Sequence, residues 1–404
     1  MNPETSRFFK IPSTYTKLIS IALTAASITH GFSISCINQK TRICSRNKLH
    51  LFLACASILS EILRVAIYLE WFHGHVFCPK DSNSVETSMW KQIMMFYFVE
   101  AVTIITVIKG ILLWRQDEME TLTKACFDFE LLINVMATSS IPVHEVYKST
   151  TCGSPNYVSL KSVVIVFIFL GTSLGIPFMG LVLSLWMPCM PPLFTMGMRS
   201  CESWGGNGGL SLTIKIILGL FESYNFSAIC GPLIYAMLGF LYYPTLLLEA
   251  WLKLLQREIL NLPSIAVQYR LAQSFSNLTN FVLRTPIMSM ILGWAMMAEV
   301  TTLYVFMTAQ NLPYAVVVYM GAMATNMFIL IQVVFRALSV PYLTSRKFAR
   351  CQGQPRGKWL SKFLRSCSPL KVSVGDGNFF DRLTSLVISN MCLDMLITLL
   401  LTEA

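Results

Sequence analysis

Asn390, Asp394 and Thr398 recur at every fourth position within the apolar run 383–401, and Thr402 extends the row. On a helix that spacing places them on one narrow stripe. An ionisable side chain in the middle of an apolar helix rarely faces lipid, so two chemistries follow. In one, the stripe lines a water-filled conduit where symmetry-related copies of Asp394 attract cations and Met391, Ile397 or Leu401 forms a hydrophobic constriction. In the other, it is a packing seam in which Asn390 and Asp394 hydrogen-bond to a neighbouring helix.

Further charges lie inside apolar runs: Glu61 with Arg64, Glu100 with Lys109, Glu222 and Glu299. Glu61 and Arg64 stand at i, i+3 on one helix face and are expected to pair with each other. Proton or ion relays use such residues too. Against a secondary transporter, the sequence has no internal repeat and no matching pair of Gly/Pro-interrupted segments.

A small-molecule pocket needs aromatic walls and a few polar groups. Trp186, Glu222, Tyr224, Asn225, Glu299, Tyr304 and Tyr319 are candidates for such a site. Tyr and Trp near span ends also serve as interface anchors, which is the plainer reading of several of them. No HExxH, GxSxG, P-loop or paired-carboxylate helix is present, so the expectation is not an enzyme, with no cofactor and no metal.

Most of the 12 cysteines read as small buried hydrophobes, since they form no CxxC or Cys/His cluster of zinc spacing. Cys189 and Cys201 share one loop and are the favoured disulfide pair, with Cys78 on the same side.

The elements that must position these residues follow from composition. Of 404 residues, 54% are hydrophobic and only 13% charged, too little polar surface for a water-soluble globule. The formal charge of +10 does not indicate nucleic acid, because Lys and Arg gather in loops that flank apolar runs. Lipid is the implied partner, and the expected class is all-α and polytopic. Runs near 50–72, 92–114, 160–186, 214–250, 284–309, 313–338 and 383–401 are long enough to cross a bilayer, which gives seven transmembrane helices. The fourth is too long for a simple crossing, and is read as one long helix kinked at Gly231–Pro232 or Pro244. Residues 18–36, rich in Ser and Thr, suit an interfacial helix, with an eighth span as the alternative.

Positive charge sets the orientation. The segment before the first span and the loops at 115–159, 251–283 and 339–382 carry 22 Lys and Arg, against three (Lys80, Lys91 and Arg199) on the opposite face. The positive-inside rule then places the N-terminus in the cytoplasm and the C-terminus outside. That is the reverse of a metabotropic seven-helix receptor. The chain so divides into a cytoplasmic segment 1–49, a six-helix region 50–338, a basic cytoplasmic loop 339–382 and a final helix with its short tail, 383–404.

Two cytoplasmic stretches have one apolar face. Leu122, Cys126, Phe129 and Ile133 follow helical spacing, and in 358–366 Trp359, Leu360, Phe363 and Leu364 alternate with basic residues. The second stretch suits the anionic inner leaflet or a neighbouring subunit, with calmodulin as the alternative. The sequon at Asn277 falls on the cytoplasmic side and is expected to be unused.

Seven spans, an inside N-terminus, a very short outward C-terminus, a long fourth helix and a large basic loop before the last span together resemble the arthropod gustatory and odorant receptor superfamily. Two local stretches carry the likeness further. Gly377-Asn378-Phe379-Phe380-Asp381-Arg382 looks like the family's lead-in to its last span, and the stretch from Leu271 to Leu278 looks like its segment before the fifth. The family's Thr-Tyr and Gln-Phe in the seventh helix are replaced here by Leu393-Asp394 and Leu400-Leu401, a departure that points to the gustatory branch.

The resemblance implies a plasma-membrane chemoreceptor that is a non-selective cation channel gated by a small molecule, a tastant or odorant. It implies a homo- or hetero-tetramer, with or without a co-receptor, whose seventh helices line one central pore. It would set Asn390, Asp394 and Thr398 toward that pore and the ligand among the second to sixth helices.

Overall fold

The computed structural model describes residues 34–37, 40–43, 48–74, 89–139, 171–172, 175–197, 209–257, 262–283, 286–309, 314–351, 362–363, 366–375 and 377–403. Its helices in chain order are α1 (Lys48–Phe72), α2 (Met89–Trp114), α3 (Gln116–Ser139) and α4 (Gly175–Trp186). After a 3-10 turn at Phe194–Gly197 come α5 (Leu212–Tyr235), α6 (Tyr243–Arg257), α7 (Leu262–Leu283) and α8 (Ile287–Thr308). The chain closes with α9 (Tyr314–Ile329), α10 (Phe335–Leu338), α11 (Val340–Cys351) and α12 (Thr384–Glu403). Antiparallel hairpins join β1 (Ile34–Ile37) to β2 (Lys40–Ile43) and β3 (Ser373–Val374) to β4 (Asn378–Phe379).

Six helical stretches among the described residues are long and apolar enough to cross a membrane. The third expected span, 160–186, lies largely outside the described residues and contributes the short apolar α4. The expected interfacial helix at 18–36 also lies mostly outside them. Where it is described, residues 34–36 form strand β1 instead, where the β-branched Ile34 and Ile37 favour extended backbone.

The long fourth helix is continuous over Leu212–Gln256, 45 residues or roughly 65 Å at about 1.5 Å per residue, twice the ~30 Å of hydrocarbon. Pro232 sits inside it, and a π-helical segment at Ala236–Tyr242 follows before the α-helix resumes. The sixth span overruns the expected end at 338: after a π segment at Leu330–Val334 the helix continues to Arg350. Arg346, Lys347 and Arg350, read from the sequence as loop residues, therefore stand on a helical extension. Hydropathy reports where lipid ends, whereas a helix continues for as long as its apolar face finds protein to cover it.

That cover comes from α3, α6 and α7. The four residues at helical spacing on α3, Leu122, Cys126, Phe129 and Ile133, are all buried. Phe129 stacks on Phe275 of α7 with ring centroids 4.5 Å apart and meets Trp251 of α6 at 4.9 Å. Tyr269 of α7 stacks on Phe348 of α11 at 5.7 Å. The sequon's Thr279 is buried here, its hydroxyl donating to the Phe275 carbonyl.

The approach to the last helix is pinned to α7. Asn280 Nδ2 donates to the Lys371 carbonyl at 2.7 Å, and the Ser373 amide donates to Asn280 Oδ1 at 2.9 Å. The β3–β4 turn uses Gly375 and Gly377 at φ of 64° and 90°, where a side chain would be strained. Asp381 then caps α12, with Oδ1 accepting from the Leu383 amide at 2.9 Å and from the Thr384 hydroxyl at 2.7 Å.

Candidate functional site

Two features stand out among the described residues: an apolar cavity within the bundle, and the face that α12 turns away from the rest of the chain.

The cavity has a volume of about 110 Å³. That is of the order of the ~150 Å³ apolar cavity known to admit benzene. On α2 its wall is Tyr97, Phe98, Ala101, Val102 and Ile105, spaced by three and four residues so that one helix face supplies them all. From α5 come Phe226, Ile229, Cys230 and Leu233, and from α9 come Tyr319, Met323, Asn326 and Met327. Both π segments border it, through Met237 on one and Leu330 and Val334 on the other. A π turn adds a residue to the helix and re-aims those after it, a feature common at binding sites.

Polar groups at the cavity are few. Thr172 donates to Asn326 Oδ1 at 3.2 Å. Trp294 of α8 is buried, and among the described residues its indole N–H has no acceptor. A buried donor left unpaired costs on the order of 1–3 kcal/mol, which a ligand bearing one acceptor would offset.

Of the seven residues nominated from the sequence for ligand contact, only Tyr319 lines this cavity. Trp186 and Tyr224 are exposed on the outside of the bundle, at 66% and 43%. Tyr304 is fully buried. Asn225 is buried and accepts from the Ser60 hydroxyl at 3.2 Å. Glu299 is buried, and among the described residues its Oε2 has no partner. Glu222 is engaged elsewhere, in an ion pair with Arg64 at 2.6 Å. The residues that do line the cavity, such as Phe98, Trp294 and Asn326, were not nominated. The i, i+4, i+7 rows Phe98, Val102, Ile105 on α2 and Tyr319, Met323, Asn326 on α9 are the available signal, indistinguishable by type from ordinary core.

The charged residues inside the spans also differ from expectation. Glu61 and Arg64 do not pair with each other. Glu61 pairs with Lys109 of α2 at 2.8 Å, and Arg64 with Glu222 of α5. All four are buried. Cross-helix partners win because an i, i+3 pair on one helix face would leave two more charges uncompensated in an apolar bundle.

α12 buries Ser385, Ile388, Cys392 and Leu396 against α8 and its neighbours, a row at helical spacing. Asn390, Asp394 and Thr398 are exposed on the opposite side, together with Met391, Ile397 and Leu401. Their hydrogen bonds stay within the helix: Asn390 Nδ2 donates to Asp394 Oδ2 at 3.2 Å, and the Thr398 hydroxyl to the Asp394 carbonyl at 2.8 Å. The nearest polar residue in contact with another helix is Ser389, whose hydroxyl accepts from Gln332. Within this chain, therefore, the stripe is no packing seam.

Cys189 is disulfide-bonded. Its expected partner Cys201 lies outside the described residues, as does Cys78.

No family model matches the chain, and no curated protein matches it. Among solved structures, the insect olfactory receptor OR5 from Machilis hrabei superposes with a TM-score of 0.62 at 12% identity, covering 96% of this chain and 98% of that one. The same receptor in complex with eugenol superposes with a TM-score of 0.64 at 12% identity, covering 96% and 99%. The chain thus has the fold of that receptor along nearly its whole length.

Proposed function

We propose that this chain is a chemosensory receptor of the arthropod gustatory and odorant receptor superfamily, acting as a ligand-gated, non-selective cation channel in the plasma membrane. One observation carries the reading. The stripe Asn390, Asp394 and Thr398 faces out of the protomer from a helix that is otherwise apolar. Against lipid, an aspartate at mid-helix is unfavourable by ~2.5–3.5 kcal/mol on insertion scales. Four copies around a water-filled axis would keep it hydrated and concentrate cations there, with Ile397 or Leu401 as the hydrophobic constriction. Seven spans, an inside N-terminus and an outside C-terminus complete the arrangement.

The ligand is a small neutral molecule held in the cavity between α2, α5 and α9. Its apolar lining supplies too few polar partners for a sugar or a free amino acid, each of which would arrive with several hydrogen-bonding groups to satisfy. The solved relative bound to eugenol, a small aromatic with few polar groups, supports the same class. Ligand opens the pore to the extent that it binds the open state better than the closed one.

The experiment is a planar-bilayer recording of the purified full chain challenged with a panel of neutral aromatic and aliphatic volatiles, eugenol among them. The expected result is an agonist-evoked current carried by sodium and potassium, with smaller unitary conductance in Asp394→Asn. Agonist-evoked current of unchanged conductance in that variant would remove the pore assignment; uptake without current would replace the channel by a transporter.

A further inference from the structure

Arg64 and Tyr68 of α1 and Glu222 of α5 are among the most deeply buried polar side chains described, and their bonds converge on one short loop. Arg64 Nη1 donates to the Pro192 carbonyl at 2.8 Å, and the Tyr68 hydroxyl donates to the same oxygen. Arg64 Nη2 pairs with Glu222 Oε2 at 2.6 Å, and Glu222 Oε1 accepts the Phe194 amide. The guanidinium also lies over the Phe194 ring at 4.3 Å and the Phe226 ring at 5.1 Å. Pro192 has no N–H, so its carbonyl is the single backbone group by which that residue can be held.

The loop is itself tightly wound. Met190 donates back to Met187, Leu193 to Met190 and Met196 to Leu193, and the Thr195 hydroxyl donates to the Pro188 carbonyl. Leu193 is fully buried. Pro192 and Phe226, the residues gripped or covered by Arg64, both line the apolar cavity.

We infer that Arg64, Tyr68 and Glu222 are positioning residues that hold the turn around Pro192 as a fixed wall of the cavity, so that this loop sets the cavity's shape and its access at that end. A pair whose task was only to join α1 to α5 would need neither the second Arg64 donor on Pro192, nor the Tyr68 hydroxyl, nor the Glu222 bond to Phe194. Burying an arginine and a glutamate is costly, and the cost falls with each further donor and acceptor that is met. Here the loop's backbone supplies the partners of Arg64 Nη1 and Glu222 Oε1, while Arg64 Nε has no acceptor among the described residues.

The wall can be tested without a ligand, because Cys230 is a free cysteine that lines the cavity. Cys126 on α3 is equally free and buried but does not line it, and serves as the control. The full chain in lipid nanodiscs is treated with N-ethylmaleimide, and labelling of each cysteine is followed by peptide mass spectrometry in the unaltered protein, Tyr68→Phe and Arg64→Lys. Tyr68→Phe removes one bond to the loop and none between helices.

The expected result in Tyr68→Phe is roughly fivefold faster labelling at Cys230, the factor set by loss of one buried hydrogen bond, with Cys126 unchanged. A larger factor is expected in Arg64→Lys, which cannot reach both Pro192 and Glu222 in forked geometry. Unchanged Cys230 labelling in Tyr68→Phe would overturn the inference, as would parallel acceleration of both cysteines, which marks general loosening. Arg64→Lys failing to fold would leave Tyr68→Phe to decide. The consequence for ligand discrimination rests on the cavity being the ligand site, but the labelling result does not, so the two readings fail separately.

Discussion

Lys109 Nζ lies 3.3 Å from the carbonyl oxygen of Ala228, the acceptor that Pro232, lacking an N–H four residues later, leaves unsatisfied. The same ammonium donates to Glu61 Oε1 at 2.8 Å and to the Ser57 hydroxyl at 2.6 Å. One buried cation thus repairs the proline break in the fourth span's helix and neutralises a carboxylate on α1. The proline can be accommodated mid-helix because a neighbouring helix supplies the missing donor.

Lys109→Met removes all three donors at once and leaves Glu61 buried beside an unpaired carbonyl. A loss of about 3–5 kcal/mol in stability is expected, read as a lower unfolding midpoint in nanodiscs. Adding Glu61→Gln to that variant should recover part of the loss, since the uncompensated charge goes with it. No recovery in the double variant would show that the carbonyl of Ala228, and not Glu61, is the group that needs Lys109.

Asn280 holds the chain leading into β3 by two bonds, through the Lys371 carbonyl and the Ser373 amide. Asn280→Ala should lower stability by roughly 1–3 kcal/mol, two hydrogen bonds at about 0.5–1.5 kcal/mol each. Hydrogen exchange localises the effect: the Ser373 amide should lose protection while α2 keeps its own. Uniform loss of protection would contradict a local clamp.

On the proposed function, filling the cavity should weaken the agonist response without unfolding the chain. Ala101 lines the cavity on α2, and Ala101→Phe occupies a large share of its volume. Agonist potency is expected to fall at least about tenfold, because a ligand could enter only by displacing the new ring into packed core, at a cost of ~1–3 kcal/mol. Normal potency in the variant would place the ligand elsewhere.

Leu401 and Ile397 share the exposed side of α12 with the polar stripe. If either is the constriction, Leu401→Ser or Ile397→Ser should raise ligand-free current severalfold by wetting the gate. Holding current in bilayers containing the variant checks this, and unchanged leak in both would move the gate away from these residues.

Much of the architecture was legible from the residues alone, because span length and apolar periodicity are local properties that a single helix must satisfy by itself. The amphipathic face of α3 and the polar stripe of α12 could both be read from spacing, and the long fourth helix from its length. What required tertiary structure was partnership. Glu61 and Arg64 sit one turn apart in sequence, yet their partners are Lys109 and Glu222, brought close by helix packing that no local rule encodes. The cavity has no local signature for the same reason. Its lining is mostly aliphatic and aromatic residues of ordinary core type, and a void among such residues depends on how helices from distant parts of the chain diverge, with a π segment on two of them. Composition determined that this chain meets lipid. Only packing decided which buried charge answers which, and where the bundle leaves room for a ligand.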